Sequence, residues 1–204
     1  MKLPKLILAS GSPRRSEILT SVGWEFTKQT ADIDETELAG EKPADYVRRL
    51  ALEKAAKIAA QNHDRLVLGA DTTVVIDDQI IGKPVDPEDA RRMLRMLSGR
   101  WHEVLTGVAL VKQEGEGENP KSKIRNPKSK VGCQTTSVKF APLDPSEIDF
   151  LVERGRPLDK AGAYAVQAQA ALFIEEIRGD YWNVVGLPVN LVFNLVREFF
   201  AEKE

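Results

Sequence analysis

Short apolar runs alternate along the chain with longer stretches in which apolar residues recur every three or four positions. Leu6 to Ala9 is the first run and predicts a buried strand. Ser10, Gly11 and Ser12 break it. Pro13 suits a first helical turn with Ser12 as N-cap, and Ile18, Leu19 and Val22 give that helix an apolar face up to Gly23. The opening unit therefore reads as strand, tight loop, helix. Glu25 to Ala39 is acidic and loop-like, with Asp32, Asp34, Glu35 and Glu37. From about Pro43 to Gln61, Val47, Leu50, Ala51, Ala55, Ile58 and Ala59 form a helical stripe. Lys54 falls on the same stripe, and Glu53 and Lys57 read as a solvent-side pair.

Leu66 to Gly69 predicts a second short strand, followed directly by Asp71-Thr72-Thr73. Val74 to Ile76 and Ile80-Ile81 flank Asp77 and Asp78 as a hairpin. Asp86 to Gly99 reads as a helix. Val104 to Val111 and Val131 to Phe140 read as paired strands. Between them, residues 113–130 are polar, carry a duplicated Asn-Pro-Lys-Ser-Lys, and lack the apolar surface to order themselves, which predicts a flexible hairpin insertion. Asp144-Pro-Ser-Glu147 opens another helix with a variant capping box. Asp159 to Gln167 reads as loop then strand, Ala171 to Ile177 as a strand, Arg178 to Asp180 as a turn. The segment after Leu187-Pro188 reads as a last helix. Strands and helices alternate but hairpins interrupt them, which predicts an α/β fold with a mixed sheet.

Composition narrows the function. A chain of 204 residues with 42% hydrophobic content can bury a sizeable core. The 29 basic and 31 acidic residues leave no footprint for general nucleic-acid binding, though a local basic pocket for a small anion fits inside that total. Cys133 is the one cysteine, so no internal disulfide forms. No stretch approaches the roughly 20 apolar residues of a membrane span, and the N-terminal apolar run is too short for a signal peptide. The expected location is the cytoplasm.

Three groups of residues carry candidate chemistry. Ser10 to Arg15 sits at a helix N-terminus, where free N–H groups and the helix dipole attract anions. Arg14 and Arg15 oppose that dipole, an arrangement a bound polyphosphate would reverse. The competing reading is an ordinary capped helix with solvated arginines. Asp71 lies past a strand, where open α/β sheets place ligands, and with Glu35 offers oxygens for Mg²⁺; it reads equally as a turn residue. Lys54 and Lys83 add cations, and Lys54 can alternatively snorkel to water. Other chemistries find no support. The chain has no GxxxxGK[ST] loop, no Gly-x-Ser-x-Gly elbow, and no zinc-ligand spacing around His63 or His102.

The stretches LILASGSPRRSEIL, YVRRLALEKA, LGADTTVVIDDQIIGKP, LSGRWHEVLTGVAL, LDKAGAYAVQ and YWNVVGLPV occur in this order. In that combination the chain resembles the Maf family of nucleoside triphosphate pyrophosphatases. The resemblance implies a Maf/ITPase-like fold: one domain over residues 1–204, a mixed twisted sheet flanked by helices, and a cleft between two lobes. It implies hydrolysis of a nucleoside triphosphate to the monophosphate and pyrophosphate, with Mg²⁺ or Mn²⁺. Asp71 matches the proton acceptor and, with Glu35, the metal position. Arg14, Lys54 and Lys83 match phosphate contacts, and Ser10, Ser12 and Arg15 belong to the same loop. Arg14, Thr72 and Gln167 match positions tied to base choice, and Gln167 resembles the dTTP/UTP subgroup. Ala168 departs from a frequent family Gly, and Gln169 adds a second amide, so base choice is the less firm part. A homodimer is implied by resemblance alone. The alternative reading is a non-catalytic nucleotide-binding regulator of cell division.

Overall fold

The computed structural model describes residues 3–114 and 127–201. The chain runs β1 (Leu6–Ala9), α1 (Pro13–Ser21), β2 (Phe26–Gln29), α2 (Pro43–Ala59), β3 (Leu66–Ile76) and β4 (Gln79–Ile81). It continues with α3 (Pro87–Leu97), β5 (Trp101–Lys112), β6 (Lys128–Phe140), α4 (Pro145–Gly155), β7 (Ile174–Arg178), α5 (Tyr181–Val185) and α6 (Val189–Ala201). One seven-stranded sheet has the order β2-β1-β3-β5-β6-β7, with β4 paired to β3. β1 runs parallel to β2 and β3, while β3, β5, β6 and β7 are antiparallel. The expected α/β fold with a mixed sheet is the observed one.

Strand alternation sorts the core into layers. Leu6, Leu8, Leu66, Leu68, Val108 and Leu110 face α1 and α6, meeting Ile18, Leu19, Val192, Val196 and Phe199. Ile7, Ala9, Val67, Ala109 and Val111 face the other way, meeting Ala51, Ala55 and Ile58 of α2. Farther along the long strands, Val74, Ile76, Val104, Val138 and Phe140 pack with α3 and α4. The helix starts follow local chemistry. Asp86 caps α3 through Asp89 N, and Asp144 and Glu147 form the capping box of α4.

Several expectations are corrected. The polar triplet Asp71-Thr72-Thr73 does not end a strand; β3 is continuous through it. Within the acidic segment, Phe26–Gln29 pairs with β1 as a parallel edge strand. Asp159 to Gln167 does not run from loop into strand: a short 3-10 turn holds Gly162 at φ 68° and Ala163 at φ 64°, and Val166 to Ala168 form a further turn. Tyr181–Val185, to which the sequence pattern assigned no element, is a short helix. Of the insertion expected at 113–130, Lys128 to Lys130 belong to β6, paired with Lys112 to Leu110; residues 115–126 lie outside the described residues. Glu53 and Lys57 do not pair. Glu53 meets Arg49, and Lys57 donates to the Asp32 carbonyl. Among the described residues no helix is long and apolar enough to cross a membrane.

Candidate active site

Asp71 sits in the middle of β3, opposite Gly107 of β5, on the face covered by α2. Alternation then turns Thr72 to the opposite face. The helix approaches this part of the sheet closely because Gly69 and Gly107 have no side chain. A Cβ at Gly69 would stand 2.1 Å from Ala51 O, and one at Gly107 would stand 2.0 Å from Val47 O. With helix and strand pressed together, the Lys54 Nζ donates to Asp71 Oδ1 at 2.6 Å and lies 2.6 Å from Glu35 Oε1. Lys54 and Asp71 are both buried, at 8% residue exposure each, while the Glu35 side chain is 45% exposed. Lys54 therefore lies on the apolar stripe because it is aimed at a buried carboxylate, not because it snorkels.

One ammonium between two carboxylates splits their acidities. Burial is the largest influence on Asp71 and raises its pKa above the ordinary carboxylate value, against the pull of Lys54 and Arg15. Burial acts on Glu35 too, but Lys54, with Lys83 and Arg15 beyond it, outweighs that and holds Glu35 below its ordinary value. Two neighbouring carboxylates pushed in opposite directions are suited to different roles, one to accept a proton and one to stay charged.

The loop after β1 forms the next wall. Ser12 takes the N-cap position of α1 with extended backbone, yet its side chain makes no capping hydrogen bond. The first-turn N–H groups of α1 after Pro13 thus have no side-chain cap, and Arg14 and Arg15 there line the cleft. Ser10 is buried and its Oγ accepts from Ser12 N at 3.2 Å. Arg15 is not a solvated arginine. Its Nε donates to Gly186 O at 2.8 Å, Nη1 to Ser10 Oγ at 3.0 Å and Ala70 O at 2.9 Å, and Nη2 to Thr72 Oγ1 at 3.0 Å. Of a guanidinium's five N–H donors, these bonds use four. Arg15 is therefore a brace joining the loop, β3 and the residue after α5. Burial lowers its pKa from the ordinary value and Asp71 opposes that. The sequence held a signal for this, since Arg15 shares a helix face with Ile18 and Leu19, three and four residues on.

Thr72 Oγ1 also bonds Thr106 Oγ1 at 2.9 Å, and Thr106 Oγ1 donates to Asn183 O at 3.3 Å. The Asn183 Nδ2 donates to Val104 O and Thr136 Oγ1, which pins α5 to the sheet. Arg14 reaches across to the turn Pro157–Asp159, donating to Asp159 Oδ2 at 3.2 Å and Asp159 O at 3.5 Å. Asp159 is a cleft residue the sequence reading did not single out; it lay inside the quoted LDKAGAY stretch without an assigned role.

These groups line one cleft of about 370 Å³, which gathers Ser10, Ser12, Arg14, Arg15, Glu35, Lys54, Asp71, Thr72, Lys83 and Asp159. Gln167 is exposed and lies in an adjoining small pocket of about 40 Å³ with Tyr164, Val166 and Val184; Arg14, Ala161 and Val185 line both. A larger apolar depression between Leu3 and Phe200 has no comparable convergence of polar groups. His102 is buried, bonded through Nε2 to Tyr164 OH at 2.8 Å, and burial drives its pKa down to about 4, so the imidazole is neutral. Among the described residues no cluster of three or more His, Cys, Asp or Glu side chains stands ready to hold a metal. The Asp71–Glu35 pair is nevertheless the donor set Mg²⁺ tolerates, since that ion is commonly held by one or two carboxylates with substrate phosphates completing its shell.

A mixed-sheet α/β protein with a polar cleft, a buried carboxylate beside a half-exposed one and converging cations belongs to the class built to handle anionic small molecules. The comparisons with known proteins are more specific. The family model described as "Maf-like protein" matches residues 5–199, and the chain belongs to this family. A dTTP/UTP pyrophosphatase of Symbiobacterium thermophilum is 45% identical over 197 residues, covering 97% of this chain and 95% of that protein. One from Hahella chejuensis is 47% identical, covering 96% and 92%, and one from Geobacter sulfurreducens is 48% identical, covering 98% and 100%. Among solved structures, the Ham1 protein of Staphylococcus aureus aligns with a TM-score of 0.49 at 13% identity, covering 98% of this chain and 100% of that one.

Proposed function

We propose that the chain hydrolyses dTTP and UTP between the α and β phosphates, releasing the nucleoside monophosphate and pyrophosphate. The observation that carries this reading is the buried Asp71 carboxylate, held by Lys54 beside Glu35 in a cleft walled by the uncapped start of α1. Names of relatives 45–48% identical over nearly the whole chain support the substrate pair.

The triphosphate lies along the α1 N-terminus, with Ser10 and Ser12 at the loop and Arg14, Lys54 and Lys83 as the charges that neutralise it. Asp71 accepts the proton of the attacking water, the oxygen bonds the α phosphorus, and pyrophosphate departs as the leaving group. Asp71 and Glu35 would also hold Mg²⁺ or Mn²⁺, which when bound supplies charge neutralisation and acidifies water. Arg15 and Thr72 serve by fixing the wall around Ala70 and Gly186, so Thr72 affects base choice through position, not contact. Gln167 and Arg14, next to the small pocket, read the base. The charge-neutralising set and the preorganised acceptor are what phosphoanhydride cleavage demands.

The test is to incubate the protein with Mn²⁺ and a panel of canonical and modified triphosphates and resolve the products. Monophosphate and pyrophosphate from dTTP and UTP are expected; tight binding without turnover would return the reading to a nucleotide-binding regulator. Base choice has its own test. A pyrimidine edge with a ring N–H between two carbonyls needs a partner that both donates and accepts, which an amide does and a carboxylate does not. Gln167→Glu is therefore expected to lower kcat/KM for dTTP and UTP by about 10- to 100-fold. Equal losses for every triphosphate in the panel would show that Gln167 does not read the base.

A further inference from the structure

Glu35 poses a physical problem. Its side chain is 45% exposed, and it belongs to the stretch 30–42, which forms neither helix nor strand between β2 and α2. Its neighbours Asp34, Thr36, Glu37 and Leu38 are exposed as well, Leu38 at 55%. Its one contact with Lys54 ties down the tip of the side chain and leaves the irregular backbone that carries it unfixed, so that contact alone would not keep this carboxylate over the site. Long segments without secondary structure of their own are uncommon unless they serve a function.

The anchoring comes from one face of α2. Tyr46, Arg49, Glu53 and Lys57 recur at helical spacing, and three of them grip the loop backbone. The Tyr46 hydroxyl donates to the carbonyl of Glu35 itself at 3.0 Å. Arg49 Nη2 donates to the next carbonyl, Thr36 O, at 3.1 Å. The same guanidinium holds Glu41 in two bonds of 2.6 and 2.7 Å, and Glu41 Oε2 in turn accepts from Leu38 N at 3.2 Å. Lys57 takes the Asp32 carbonyl. Arg49 also lies over the Tyr46 ring, 5.6 Å from its centre, which ties the two anchors together. Burial and the nearby Asp71 and Glu35 charges push the Tyr46 phenol up to about 12, so it remains a donor through the working pH range.

We propose that Tyr46 and Arg49 are positioning residues that hold Glu35 over the Lys54–Asp71 pair by fixing its loop backbone from α2. The inference rests on the reading above that Glu35 serves the divalent-cation site. It gives the quoted YVRRLALEKA stretch a division of labour. Lys54 faces the reacting groups, while Tyr46 and Arg49, eight and five residues earlier, hold the loop that carries Glu35.

The test compares the full-length wild type with Tyr46→Phe, Arg49→Gln, Glu35→Gln and the double variant Tyr46→Phe/Glu35→Gln. The readouts are the Mn²⁺ dependence of dTTP turnover, hydrogen–deuterium exchange of the amides at 31–38 without Mn²⁺ or nucleotide, and thermal melting. Tyr46→Phe is expected to raise the half-saturating Mn²⁺ concentration about three- to tenfold, the worth of one such hydrogen bond, and Arg49→Gln, which loses its bonds to Thr36 and Glu41, by at least as much. Turnover should recover at saturating Mn²⁺, loop exchange should rise, and melting should be unchanged. Tyr46→Phe should add nothing on top of Glu35→Gln. Losses equal at every Mn²⁺ concentration, or full additivity in the double variant, would overturn the inference. So would a shifted Mn²⁺ response in Glu35→Gln with none in Tyr46→Phe and Arg49→Gln. An unmoved Mn²⁺ response in Glu35→Gln overturns the reading of Glu35, and the inference with it.

Discussion

Asp71→Asn is expected to lower kcat for dTTP by about 10³-fold, the scale of a lost general base, while the chain stays folded. The substitution keeps size and shape. The new amide would still offer an oxygen to Lys54, and Glu35 would still pair with that ammonium, so no buried cation is stranded. What disappears is the ability to take a proton. Asp71 is the carboxylate that burial pushes toward an acceptor's pKa, whereas Glu35 is held charged. Steady-state kinetics at several Mn²⁺ concentrations, paired with a thermal melt, read the result. Recovery of wild-type kcat at high Mn²⁺ would mean Asp71 only helps hold the cation. Unchanged turnover under all conditions would remove it from the centre of the reaction.

The sequence carried more of the site than of its geometry. The strand–loop–helix opening, the α2 stripe with Lys54 on it and the Asp77-Asp78 hairpin all follow from local periodicity and turn chemistry, which act over a few residues. The continuity of β3 was hidden because polarity normally marks the end of a buried strand. Here Asp71 is matched by Lys54 and Thr72 by Arg15 and Thr106, so polar side chains stay in register inside the sheet. Those partners come from distant segments, and the bond from Arg15 to Gly186 O spans 171 positions. The helix face that Arg15 shares with Ile18 and Leu19 marks it as inward-facing, but no local pattern names the partners it meets there. The same holds for Asp159, whose partner Arg14 lies 145 positions away. The edge strand β2 and the short α5 escaped notice because each is brief and stabilised by what it docks against.

Glycines gave the least readable signal and carry the second large expectation, which is that Gly107→Ala will destabilise the fold and disassemble the site together. Gly107 is Asp71's register partner and faces α2. An added Cβ would lie 2.0 Å from Val47 O, 2.3 Å from Val47 C and 2.7 Å from Arg48 N. All three are helix backbone atoms, which no rotamer change can move aside. Either α2 lifts or β5 bows, and the 2.6 Å contact between Lys54 and Asp71 does not survive a shift of that kind. Overpacking against backbone should cost about 3 kcal/mol, which for a chain of this size lowers the melting temperature by roughly 6–12 °C. Gly132→Ala is the control, because the atoms nearest its Cβ would be Leu191 and Leu195 methyls at 3.1–3.4 Å, side-chain ends that can yield. It should shift stability by under about 1 kcal/mol and leave kcat intact. Paired melts and turnover of the two variants decide the matter. If Gly107→Ala melts and turns over like Gly132→Ala, then α2 does not press on the sheet at Asp71, and close approach is not what assembles the catalytic pair.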